Sequence, residues 1–200
     1  MHPLEVLNRS VFLHINAGAA TPLWAIDGAT AVADGLIYAI PLMLLWLWLR
    51  GDSAQRHVAL KACAVTFLAL GMNQVIGLLW QHPRPFMVGL GHSWIAHAAD
   101  SSFPSDHMTV FVGIGLTLWL AGVTRWGALT LAGSFCIAWA RVFLGVHFPL
   151  DMVGAAAVAG IAHLVVAPLW RLWGHAIGNW AERVYERLFA SAIRAGWAKP

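Results

Sequence analysis

An all-α fold, a polytopic bundle of transmembrane helices, is what this sequence predicts, and three observations predict it. The 200-residue chain is 60% hydrophobic and only 10% charged. Its apolar residues gather into runs near the length of about 20 residues that a helical span needs. Most of its twelve tryptophans sit near the ends of those runs, where interfacial anchoring favours them. The expected architecture is a single domain over residues 1–200, with five or six helices in the bundle, an amphipathic N-terminal helix and an interfacial C-terminal helix.

Each element has its own justification. Residues 4–17 carry Leu4, Leu7, Val11 and Ile15 at helical spacing, with Glu5, Asn8 and Arg9 elsewhere around the helix. This is an amphipathic helix, either lying in the interface or entering the membrane as a sixth span. Four apolar runs qualify readily as spans, at about 23–49, 58–80, 126–146 and 150–172. A fifth, at about 105–121, is short and begins at Pro104-Ser105-Asp106-His107. Residues 175–197 mix Trp180, Val184, Leu188 and Ile193 with five charged residues, which predicts a second interfacial helix. The longest connection, about 81–104, holds His82, Gly89, Gly91, His92, His97 and Asp100. A loop of that length is expected to cap a membrane-level cavity.

The charges set an orientation. One side of the predicted bundle collects Arg50, Arg56, Lys61, Arg125, Arg171, Arg183, Arg187, Arg194 and Lys199, and the other Arg9, Arg84 and Arg141. The positive-inside rule places the first group in the cytoplasm. The net charge of +3 does not read as nucleic-acid binding, because the charges border apolar spans instead of forming a basic face. Met1-His2-Pro3-Leu4-Glu5 lacks the basic start of a secretory leader. Cys63 and Cys136 fall inside apolar runs and read as small hydrophobes, with no CxxC pair.

Three polar clusters interrupt the apolar chain, and the orientation puts all three on the extracytoplasmic side. They are Arg84-Pro85, Pro104-Ser105-Asp106-His107, and Arg141 followed by His147 and Asp151. Ionisable groups are costly in hydrocarbon, so such a set marks a working site. Its residue types suit phosphoryl transfer, which needs cations around the phosphoryl oxygens and reacting groups in line. Arg84 and Arg141 each offer bidentate donors. Ser105, at the start of a helix, adds a hydroxyl beside backbone N–H groups that favour an anion. His147 precedes Asp151 by four residues, close enough for the carboxylate to orient its ring. His107 stands beside Ser105, where it can protonate a leaving oxygen. Arginines supply the positive charge that a metal supplies elsewhere, so neither metal nor cofactor is expected.

Arg84-Pro85, Pro104-Ser105-Asp106-His107 and Arg141-x5-His147-x3-Asp151 together resemble the three-part signature of the type 2 phosphatidic acid phosphatase superfamily. His82-Pro-Arg-Pro-Phe86 and Ser102-Phe-Pro-Ser-Asp-His107 resemble, more narrowly, its bacterial undecaprenyl-diphosphate phosphatase branch. The resemblance covers about residues 73–155. It implies that His147 attacks phosphorus to form a phosphohistidine, that Asp151 supports it, and that His107 serves the leaving group. Arg84, Ser105 and Arg141 would then hold the phosphate. The implied activity is hydrolysis of undecaprenyl diphosphate to undecaprenyl phosphate, recycling a cell-wall lipid carrier. The implied setting is a bacterial inner membrane, with the site facing the periplasm or exterior.

The chain departs from the family pattern at Gly77, where a lysine usually precedes the arginine by seven residues. Asp106 also stands where glycine is common, and Ala140 where serine often precedes the arginine. His82, His92, His97 and Asn73 are the candidates to replace the lysine's contact with a phosphate or headgroup. His14, His57, His163 and His175 match no site pattern and read as interfacial or packing residues. Asp27 and Asp34 share a helical face and read as helix-start or interhelical hydrogen-bonding groups. Competing readings are a phosphatase of phosphatidylglycerophosphate or phosphatidic acid, a vanadate-dependent peroxidase, and a transporter or redox subunit. Expected partners are a lipid diphosphate and membrane lipids, with no nucleic acid; a homo-oligomer is left open.

Overall fold

A computed structural model describes residues 3–197 and 199. Every regular element among them is helical: α1 (Pro3–Ile15), α2 (Leu23–Thr30), α3 (Ala39–Arg50), α4 (Ser53–Leu79), α5 (Asp106–Leu120), α6 (Thr124–Phe143), α7 (Pro149–Leu188) and α8 (Ala190–Arg194). The helices α2 and α3 form one continuous 28-residue span, Leu23–Arg50, joined by a π turn at Ala31–Gly35 and a 3-10 turn at Leu36–Tyr38. With α4, α6 and α7, it makes four helices long and apolar enough to cross a bilayer. The chain is thus a multi-pass membrane protein.

The fifth apolar helix is short, as expected, and its burial shows how that is tolerated. At 15 residues α5 spans about 22 Å, less than the roughly 30 Å of hydrocarbon. Phe111, Ile114 and Leu118 on α5 pack with Ile137 of α6 and Ala62 of α4, while Met108 and Val112 pack with Ala155 and Ala159 of α7. Surrounded by helices, α5 owes nothing to bilayer thickness. Small residues permit the close approach: a Cβ on Gly113 would meet Thr66 of α4, and one on Gly115 would meet Leu131 of α6.

Sequence signals set the helix ends. Asp52 caps α4, accepting from Gln55 N–H at 2.8 Å while the Gln55 side chain accepts from Asp52 N–H at 3.1 Å. Pro149 stands in the first turn of α7, where a missing N–H costs nothing. Gly145, with φ of +83°, stops α6. Val146 N–H reaches Arg141 O and Gly145 N–H reaches Val142 O, both at 3.1 Å. The helix therefore ends at Phe143, earlier than the expected span to 146, and Arg141 falls in its last turn.

In α1, Leu4, Leu7 and Val11 of the amphipathic stripe are exposed, as an apolar face can be where the surroundings are lipid. The face turned to the bundle carries Asn8 and Phe12: Asn8 Oδ1 accepts from Leu150 N–H at 3.0 Å, and Phe12 meets Phe148 edge to face at 5.3 Å. One expectation changes: residues 175–197 do not form a separate helix, since α7 runs unbroken for 40 residues, about 60 Å. Its distal part is clamped to the start of α4 through Arg56, which lies under the Tyr185 ring at 4.8 Å and donates to Trp48 O at 2.9 Å. That packing holds the continuation in place, leaving only α8 as a distinct helix.

Candidate active site

Five segments converge at one end of the bundle: the end of α4, the 81–104 loop, the start of α5, the end of α6 and the start of α7. They enclose a cavity of about 550 Å³ lined by Arg84, His97, Asp106, His107, Arg141 and His147, among others. The long loop forms much of its wall, latched by Ser102 N–H to His82 O at 2.7 Å and Trp94 N–H to Leu144 O at 3.0 Å. Asn16, just past α1, ties the same region together, donating to both His92 O and Phe143 O.

His147 lies in the short turn between α6 and α7, only 2% exposed. Asp151 Oδ2 lies 3.2 Å from its Nδ1 and also accepts from Phe148 N–H at 2.7 Å and from the Ser102 hydroxyl. Ser102 Oγ lies 3.4 Å from the same Nδ1. With its proton on Nδ1, the ring presents the Nε2 lone pair, 3.1 Å from Arg84 Nη1. Burial first, then the Arg84 and Arg141 guanidiniums, hold the His147 imidazole well below its ordinary pKa. The neutral, nucleophilic form is therefore favoured. Asp151 also has a local role, joining the α7 N-terminus by accepting from Phe148 N–H.

The two arginines are held differently. Arg84 Nε pairs with Asp100 Oδ1 at 2.8 Å, Nη1 also donates to Val146 O at 2.9 Å, and Nη2 donates to Ser101 O at 3.3 Å. Despite partial burial, which works the other way, Arg84 keeps the Asp100 carboxyl below its usual range. Arg141 lies 3.4 Å from Asp34 Oδ1 and 3.3 Å from His97 Nε2, while its buried Nε has no protein partner. Asp34 sits in the π turn of the first span, so the interhelical bond expected of it is an ion pair to the site. Ser105 is the N-cap residue of α5, and its buried hydroxyl also lacks a protein partner. His107, two residues further on in the first turn of α5, lines the cavity.

Of the four candidates to replace the missing lysine, three line the cavity. Asn73 donates to Asp106 Oδ1 at 2.8 Å and Thr109 Oγ1 at 2.9 Å. His82 stands with Nδ1 4.0 Å from Asp151 Oδ1 and Nε2 3.8 Å from Glu5 Oε2. His97 bonds Arg141. His92 does not line the cavity: its backbone is engaged with Asn16 and its ring lies beside Trp94, because the turn at Gly91 directs it to α1. Gly77 itself lines the cavity, and a Cβ there would meet only Ser101 at ordinary contact distance. The absent lysine thus leaves room.

Sequence reasoning missed Ser102 and Asp100. Ser102, fully buried, lies inside the motif stretch ending at His107, and a hydroxyl three residues before Ser105 was the available signal. Asp100 offered none beyond its place in the long loop. Among the described residues, no cluster of three or more His, Cys, Asp or Glu side chains is arranged to hold a metal.

A protein-family model described as the PAP2 superfamily matches residues 58–185. The chain is 39% identical over 197 residues to a putative undecaprenyl-diphosphatase, YbjG, of Escherichia coli strain K12, covering 98% of this chain and 99% of that one. It is 34% identical over 128 residues to the undecaprenyl-diphosphatase BcrC of Bacillus subtilis strain 168, covering 64% and 66% respectively. The crystal structure of Aquifex aeolicus LpxE superposes with a TM-score of 0.67 at 22% identity, over 81% of this chain and 95% of that one. A PAP2-type phosphatidylglycerolphosphate phosphatase from Bacillus subtilis does so with a TM-score of 0.61 at 16% identity, over 84% and 87%. These last two share the fold.

Proposed function

The chain belongs to the PAP2 superfamily and is a membrane lipid phosphatase, and from that premise we propose that it hydrolyses undecaprenyl diphosphate through a phosphohistidine at His147. One observation carries the mechanism: the His147 ring is bracketed, Nδ1 by Asp151 and Nε2 by Arg84, at a cavity that His107 and Arg141 also line. The substrate reading is supported by the full-length relative's name.

In this reading the terminal phosphoryl group takes the Arg84 Nη1 proton that faces His147 Nε2 without substrate, freeing that lone pair, and takes Arg141 Nε as a second donor, with the Ser105 hydroxyl beside them. Its phosphorus then faces His147 Nε2. Attack forms the P–N bond and breaks the P–O bond to the lipid monophosphate, whose oxygen receives the His107 proton. Asp151 stabilises the imidazolium that forms, as a carboxylate does beside a charged ring. Water, deprotonated by His107, then cleaves the P–N bond to release inorganic phosphate. Electrostatic stabilisation by fixed guanidiniums supplies what a metal supplies in other phosphoryl transfers. The isoprenoid tail would stay between helices while the headgroup meets the cavity. We place the site on the periplasmic or outer face of a bacterial inner membrane, by the loop-charge asymmetry.

The test is phosphate release from undecaprenyl diphosphate by detergent-purified protein in chelator, beside phosphatidylglycerophosphate and phosphatidic acid. Undecaprenyl diphosphate should turn over fastest, and His147→Ala should lose at least about 10³-fold while remaining folded, as expected when a nucleophile is removed. Near-normal turnover by that variant would eliminate the mechanism; a faster lipid would reassign the substrate.

A further inference from the structure

We infer that a second site for a phosphate dianion lies between α4 and α7, at the bundle end opposite the catalytic cavity, and that a lipid headgroup is its natural source. A cavity of about 590 Å³ opens there, lined by His57, Lys61, His163, Trp170, Arg171 and His175. None of these residues has a part in the chemistry above. Arg171 lies 22 residues along α7 from Pro149, about 33 Å at helical rise. That matches the thickness of the hydrocarbon layer, so the cavity sits at the other interface.

The charge pattern calls for an anion. Two permanent cations and three imidazoles share the cavity, and no carboxylate lines it. Glu182, at its edge, is already engaged by Ser53 Oγ at 3.0 Å, His57 Nε2 at 3.5 Å and Arg56 at 3.7 Å. Among the described residues Lys61 and Arg171 form no ion pair. Gathering like charges between apolar helices is unfavourable unless an anion compensates. The donor geometry also fits: a guanidinium fork on one helix, an ammonium on its neighbour, and imidazole N–H groups around them. His163 is oriented through Thr117 at 3.0 Å.

Small residues keep the space open. A Cβ on Gly178 would overlap the His57 ring, and one on Gly174 would overlap Trp170. Beside the cavity, Leu169, Leu172 and Trp173 are exposed on α7, apolar surface along which an acyl chain can lie. Basic pockets between membrane helices take phosphate headgroups for these reasons.

Native mass spectrometry of the full chain with a non-hydrolysable phosphonate analogue of phosphatidic acid tests the site, with inorganic phosphate alone as a second arm. Removing both cations, by Lys61→Ala with Arg171→Ala, should abolish one bound copy while hydrolysis at the other end stays within about twofold. Bound lipid analogue lost in the double variant supports the lipid source, and lost inorganic phosphate without any lipid difference supports free phosphate. Equal occupancy of both probes in wild type and double variant overturns the site. Hydrolysis measured on the same samples separates that failure from failure of the proposed reaction.

Discussion

Ser102 supports the candidate site from behind the cavity wall. It does not line the cavity, yet it bonds Asp151 and reaches His147 Nδ1. Hydrogen bonds to charged groups contribute about 1.5–3 kcal/mol, so Ser102→Ala should lower kcat roughly 10- to 100-fold. KM should change little, because no cavity contact is removed. Steady-state kinetics on the lipid diphosphate check the split, and a variant impaired only in KM would deny Ser102 its positioning role. His147 makes a second residue-scale prediction. In the proposed reaction its neutral form attacks, and burial and the two arginines hold its pKa well below 6.5. Activity should therefore persist as pH falls below 6.5 and fail only at lower pH. An acid limb of kcat/KM centred at 6.5 or above would contradict the neutral-ring mechanism.

At the scale of elements, the junction of α6 and α7 decides the geometry. Gly145 takes φ of +83°, and a Cβ there would also overlap the His92 carbonyl. A side chain in left-handed backbone costs about 1–2 kcal/mol before any clash. Gly145→Ala should lower the thermal midpoint and cut turnover at least about tenfold, since His147 is two residues away. A variant with unchanged midpoint and rate would show that the turn tolerates a side chain. Packing of α7 matters likewise: a Cβ on Gly154 would overlap the Phe103 ring, one residue from the Pro104-Ser105 stretch. Part of this junction is legible in the sequence, because a proline opening a helix and an aspartate in its first turn are local signals; the stop at Gly145 is not, and the expected span runs past it to 146.

For the whole molecule, the two ends of the bundle carry different chemistry. Arg84, His147 and the candidate active-site cavity occupy one end, and Lys61, Arg171 and the second cavity the other. Reporter fusions at Asp52 and Gly91 should therefore report opposite sides of the membrane, with Gly91 outside. The same side for both would break the topology. The 40 residues of α7 exceed a bilayer's thickness, so this helix links both ends and continues past the second.

Composition and periodicity by themselves determined the class: apolar runs of span length need helices, because hydrocarbon offers backbone groups no other partners. Motif spacing determined which residues to examine, since helical rise brings His147 and Asp151 together over four residues. Only the tertiary structure decided that Arg84 meets His147 across 63 positions, that Asp34 pairs with Arg141, and that His92 stays outside. Those meetings depend on which helices pack side by side, and chain position carries no record of that.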